Sequence, residues 1–149
     1  MEKKVATQND IDESYTVPIF GYELLRDILI PDLLGKDTPE ITYWSGKHLA
    51  RKFPVLSKEE SESFFQDAGW GQLRLSSESK NEMKFELSGD IVQRRLQMLT
   101  DPSFRLEAGF IAQQVQIQKQ VMTEAYEEIV KKQNIVIFTV RWDPKDPIE

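Results

Sequence analysis

The sequence predicts an α+β domain, and three observations predict it. Apolar residues recur at helical spacing through the first third of the chain. Leu73 and Leu75, then Met83, Phe85 and Leu87, alternate with polar residues, the period of a strand with one buried face. Last, Leu106-Glu107-Ala108-Gly109-Phe110-Ile111-Ala112 leads through a charged middle to Ile135-Val136-Ile137-Phe138-Thr139-Val140. A glycine flanked by small and aromatic residues, followed by an apolar β-rich run, implies a helix packed closely on a sheet.

Residues 1–15 are polar and read as a mobile arm, with a single α+β domain over 16–149. From Pro18, the residues Phe20, Leu24, Leu25, Ile28 and Leu29 mark a first helix, with Glu23, Arg26 and Asp27 on its other side. Pro31 removes an amide donor and is expected to kink or end it, and Gly35 is a terminator. Thr38-Pro39 opens a second helix, which runs to about Lys52 before Phe53-Pro54. Gly46 sits in its middle, where glycine costs about 1 kcal/mol relative to alanine, so close packing against another backbone is the expected reason for it. Ser57 with Glu60 forms a capping box for a third helix ending near Ala68-Gly69. The polar link Ser77 to Asn81 joins the two alternating runs as a hairpin. Asp90 to Met98 reads as a short helix, and Thr100 to Ser103 as a turn into the helix from Phe104.

Between Gln118 and Asn134 local signals favour helix. Val121, Met122, Ala125, Ile129 and Val130 fit a helical stripe, and Glu127–Lys131 and Glu128–Lys132 are i,i+4 pairs in the favourable orientation. Against this, one helix from Phe104 to Lys132 would be unusually long for a globular domain. It would also leave Ile135–Val140 short of strands to pair with.

Composition excludes several function classes. The 149 residues carry a formal net charge of −6, and no basic run exceeds two residues. Nucleic acid and anionic membrane surfaces, which call for clustered Lys and Arg, are therefore not expected partners. The chain has no cysteine, which removes disulfides, thiolate metal sites and cysteine nucleophiles and fits a reducing cytoplasm. Met1 to Ser14 lacks the apolar region of a signal peptide, and no run approaches the roughly 20 apolar residues of a membrane span.

Several segments together are specific: Tyr22-Glu23-Leu24-Leu25-Arg26, the run from Tyr43 to Pro54, Ala68-Gly69-Trp70-Gly71, Leu106 to Ala112, and Trp142-Asp143. On these the chain resembles the YslB family of small bacterial proteins from low-GC Gram-positive organisms, from about Phe20 to Pro147. More distantly it resembles the superfamily of TRAPP tethering subunits and 4-vinyl-reductase-type domains. That superfamily has a helix bearing Gly-x-x-x-x-Arg (here Gly46 and Arg51) and a Gly-Trp-Gly-like entry into a hairpin (Gly69-Trp70-Gly71). A second glycine-bearing helix follows, around Gly109, and then a strand pair with Glu early in its first strand, here Glu124. The resemblance implies a four-stranded antiparallel sheet with helices packed on one face, and so makes Val121 to Lys131 a strand. It also implies room for an apolar acyl chain or small hydrophobic ligand between helices and sheet, and dimerisation through the helices. The cysteines that such relatives carry are missing, so metal binding by that route and covalent acylation are excluded.

Trp44, Trp70 and Phe110 are the candidate lining of an apolar pocket, with Arg51 available to an anionic head group. The plainer reading makes the aromatics core residues and pairs Arg51 with Glu23 or Glu107. His48, the single histidine, has Trp44, Ser45, Arg51 and Lys52 as helical neighbours and no carboxylate to orient it, so a structural or surface role is expected. The Asp10/Asp12 and Asp143/Asp146 pairs read as solvated charge rather than calcium ligands. No nucleophile–base or metal constellation is visible, so neither catalytic residue nor cofactor is expected. The expectation is a non-enzymatic cytoplasmic domain that binds a small hydrophobic ligand or a protein partner. The alternative is a scaffolding homodimer with a filled core and no ligand. The apolar surplus of the first helix makes a homodimer the expected assembly.

Overall fold

The computed structural model describes residues 15–148. The expected polar arm over 1–15 lies, but for Tyr15, outside the described residues. The chain divides at Thr38/Pro39 into two compact units.

The first unit is helical. It runs as α1 (Ile19–Glu23), a π-helical turn (Leu24–Leu29) and α2 (Ile30–Leu34), closing with a 3₁₀ turn (Gly35–Asp37). The expected break at Pro31 takes a milder form. The wide turn ends at Leu29, and α2 restarts with Pro31 in its first turn, where a missing amide donor costs least. Its apolar side chains remain exposed: Ile19, Phe20, Leu24, Leu25, Ile28, Leu29, Ile30 and Leu33 span 37% to 73% exposure.

The second unit carries the sheet. α3 (Thr38–Lys52) and α4 (Lys58–Asp67) precede a hairpin of β1 (Gln72–Glu78) and β2 (Glu82–Ser88). Then come α5 (Asp90–Met98), α6 (Arg105–Lys119), β3 (Val121–Val130), a 3₁₀ turn (Lys131–Gln133) and β4 (Ile135–Pro147). The Ser57 cap is as expected: its Oγ accepts the Glu60 amide (3.2 Å), and the Glu60 carboxylate accepts the Leu56 amide (3.0 Å).

The sheet is antiparallel in the order β1-β2-β4-β3. Its inner face is a ladder of apolar pairs, Met83↔Val140, Phe85↔Phe138 and Leu87↔Val136, all buried. α4, α5 and α6 pack against it. The outer face is polar, with the Arg74–Glu86 pair and Arg141 to Glu82 (2.8 Å) across neighbouring strands. Residues 121–130 are strand, so the helical stripe of this region loses. The i,i+4 pairs cannot form there: Glu127 instead meets Arg105 (2.7 Å), and Lys131 begins the 3₁₀ turn. Pairing with β4 along almost the whole of β3 outweighs local propensity. A left-handed Gln120 (φ 58°) makes the abrupt change from α6 to β3.

Candidate functional site

α3 and α6 cross with their backbones in contact. A Cβ on Gly46 would stand 2.8 Å from the Phe110 amide nitrogen and closer still to the Leu106 carbonyl oxygen. A Cβ on Gly109 would meet the Tyr43 carbonyl just as closely, with its carbon at 2.8 Å. Both glycines thus hold the close-contact positions expected of them. The crossing sets which α3 side chains face inward: Gly46 and Ala50 are buried.

Beside the crossing, Tyr43 organises a polar cluster that the sequence reading missed. Its hydroxyl donates to Glu124 Oε2 (2.5 Å) and accepts the Ala125 amide (3.0 Å) on the edge strand β3. Lys47 Nζ lies 4.9 Å from the Tyr43 ring centroid and 3.3 Å from Glu124; Arg105 Cζ lies 4.0 Å from the same centroid, and its guanidinium pairs with Glu127 at 2.7 Å. Burial and the hydrogen bond to Glu124 push the Tyr43 hydroxyl pKa well above the ordinary tyrosine range. Each cation is matched by a carboxylate, so the cluster ties α3, α6 and β3 together. Only Glu124 carried a sequence signal, through the family resemblance. Tyr43 could have been found because it lies three residues before Gly46, on the same helix face.

The four sequence-predicted residues separate. Trp70 (7% exposed) and Phe110 (0%) meet edge to face, centroids 5.4 Å apart and planes at 87°. Phe64 stacks on Phe110 at 4.5 Å, and Phe65 stands at right angles to Trp70 at 5.0 Å. Left-handed Gly69 (φ 73°) and Gly71 (φ 132°) turn the chain on either side so that Trp70 points inward. These rings interlock as core. Trp44 lies elsewhere: it is 57% exposed and stacks on His48, centroids 5.5 Å apart and planes 9° from parallel. Arg51 is exposed and reaches Gln113 Oε1 at 3.4 Å. Glu107, one of its expected partners, forms a buried ion pair with Arg95 (3.7 Å), both side chains at most 3% exposed. The Arg95 guanidinium also donates to the Ser103 carbonyl (2.7 Å) and lies 4.4 Å from the Phe104 ring centroid.

A cleft of about 450 Å³ opens beside the β1–β2 hairpin, lined by Glu62, Gln72, Arg74, Glu86 and Ser88 with Leu73 and Ile135. Its charged lining suits a polar occupant better than an acyl chain. Among the described residues, no group of three His, Cys, Asp or Glu side chains is placed to hold a metal ion.

Residues 19–141 match the family model described as "Protein of unknown function (DUF2507)". The chain belongs to the DUF2507 family. It is 45% identical over 148 residues to the uncharacterized protein YslB of Bacillus subtilis (strain 168), with 99% of this chain and 100% of that one covered. The fold is that of a vinyl-4-reductase family protein from Methanocaldococcus jannaschii. The two structures superpose with a TM-score of 0.64 at 20% identity, covering 91% of this chain and 87% of the other. At that identity the likeness concerns the fold alone.

Proposed function

We propose that this DUF2507 protein is a non-catalytic cytoplasmic interaction module that works as a homodimer, joined through the apolar helical surface of residues 19–34. The observation that carries this is the exposure of eight apolar side chains between Ile19 and Leu33. A contiguous apolar patch of this kind is uncommon on a monomer and marks an interaction surface. A non-catalytic role rests on the Tyr43 cluster, whose charges neutralise one another, and on His48, whose neighbour is a tryptophan face. The cytoplasmic assignment rests on the absence of cysteine. Among the described residues, no helix is long and apolar enough to cross a membrane.

Support for a small hydrophobic ligand is weaker. Trp70 and Phe110 fill the space between helices and sheet with each other and with Phe64 and Phe65. Light scattering coupled to gel filtration tests the dimer. Twice the chain mass at micromolar concentration, reduced to one chain by Leu25→Glu, is expected; a single-chain mass at millimolar concentration would refute the proposal. Native mass spectrometry of the same sample checks the ligand, and bare protein is the expected result.

A further inference from the structure

A sheet in the order β1-β2-β4-β3 ends in two edge strands, and an open edge is a template for any extended chain. Along β3, side chains from two helices stand in the way. Thr123 donates its amide to Gln116 Oε1 on α6 (3.2 Å), and Ala125 donates its amide to the Tyr43 hydroxyl on α3 (3.0 Å). Amides two residues apart on a strand point the same way, so both face away from β4, along the free edge. The Tyr43 hydroxyl gives its own proton to Glu124 (2.5 Å), which leaves it an acceptor for Ala125. Thr123 and Ala125 are both 0% exposed, so these amides have no water to turn to and the caps satisfy them.

Glu127 obstructs the next stretch of edge by another means. It stands opposite Phe138, on the inner face of the sheet, where Phe138, Ala125 and Val140 are all fully buried. Its carboxylate pairs with Arg105 at 2.7 Å, and the two side chains keep 15% and 26% exposure. An inward charge is tolerable on a last strand, where it reaches solvent past the edge. A further strand would enclose the ion pair and add the cost of desolvating it.

We propose that Tyr43, Gln116 and Glu127 form one device that closes the β3 edge to strand addition. The opposite edge is blunted differently. β1 slips register between Leu75 and Ser77, and the intervening Ser76 turns its hydroxyl to the Lys84 carbonyl (3.0 Å). With both edges interrupted, a partner of this chain meets a face of the fold and does not lengthen its sheet. The inference holds whichever surface joins the copies, so it is independent of the dimer proposed above.

The test uses the full chain carrying Leu25→Glu, so that the helical surface of residues 19–34 cannot join copies. Amide hydrogen exchange followed by NMR reads each cap separately. Tyr43→Phe is expected to speed exchange at Ala125 about tenfold relative to the β4 amides and to leave Thr123 unchanged. Gln116→Leu is expected to do the reverse. Sedimentation velocity and thioflavin T binding read the edge as a whole. Tyr43→Phe, Gln116→Leu and Glu127→Val in one chain are expected to give sheet-bonded assemblies, while the parent stays a single chain. Val136→Ala loosens the core with all three residues in place, and it is expected to stay a single chain too. Unchanged exchange at Ala125 and Thr123 in the single variants overturns the caps, whatever becomes of the triple variant. A triple variant that stays folded and single-chain, or a Val136→Ala chain that assembles as readily, overturns the closed edge.

Discussion

Gly46 and Gly109 occupy reciprocal positions: each lies against the helical turn that contains the other's neighbours, Leu106 to Phe110 for Gly46 and Tyr43 to Lys47 for Gly109. The atoms a methyl group would meet are main-chain atoms, which cannot rotate away as a side chain can. Alanine at either position must push α3 off α6. A gain of up to about 1 kcal/mol in helix propensity offsets part of an overpacking cost of about 1–3 kcal/mol or more. We expect Gly46→Ala and Gly109→Ala each to lower stability to urea by about 1–3 kcal/mol. The double variant should cost less than the sum, because the first methyl group has already separated the helices. Full additivity would mean that the two contacts are independent.

Arg95 and Glu107 lock α5 to the first turn of α6 inside the unit. Removing one partner strands the other charge in a site closed to water. Glu107→Gln and Arg95→Met should therefore each cost about 3–5 kcal/mol, whereas Arg95→Met with Glu107→Leu should recover much of that loss. The guanidinium also lies over Phe104, so the double variant should lose the ring contact as well. Chemical unfolding of the four proteins decides it; a double variant as unstable as the worse single one would show that the ion pair itself holds the two helices.

Tyr43 makes the stability of the fold depend on alkaline pH. Its folded pKa is raised, chiefly by burial and then by its hydrogen bond to Glu124, so the folded chain keeps the phenolic proton more tightly than the unfolded chain does. The stabilisation is fully present below the unfolded value of about 10 and is lost as pH rises from there toward the folded value. Unfolding midpoints measured between pH 8 and 11 should fall at the alkaline end, and Tyr43→Phe should flatten that fall. Tyr43→Phe should also lower stability at pH 8, because the Ala125 amide on the edge strand loses its acceptor. An identical alkaline slope in wild type and variant would assign the effect to other groups.

Much of this fold was legible because its signals are local. The β1–β2 alternation and the Ser57–Glu60 cap each lie within a few residues, and both stand in the structure. β3 was legible only through the family resemblance, because locally Glu127 and Glu128 stand four residues ahead of Lys131 and Lys132 as in a helix. What makes the segment a strand is pairing with β4, which local spacing cannot register. The candidate site residues came apart for another reason. Trp44 and Trp70 carry the same local signature, a large aromatic beside glycine, yet one is exposed and the other buried. On α3 the residue two before a close-contact glycine points to the opposite side, so Gly46 itself turns Trp44 outward while placing Tyr43 inward. The glycines around Trp70 are not in a helix at all, and their left-handed backbone turns the ring into the core.

That difference separates the two tryptophans experimentally. Trp70 touches Phe64, Phe65 and Phe110, and removing it leaves a cavity among rings that cannot collapse freely. Trp70→Ala should cost about 3–5 kcal/mol. Trp44 contributes one stacked contact on an open helix face, and Trp44→Ala should change stability by no more than about 0.5 kcal/mol. Both are best measured in the Leu25→Glu background, where loss of the dimer cannot register as loss of fold. Intrinsic fluorescence adds an independent reading: an aqueous quencher should reach Trp44 and not Trp70, so Trp44→Ala should remove most of the quenchable emission. A large stability loss in Trp44→Ala would mean that this face of α3 is packed within the single chain.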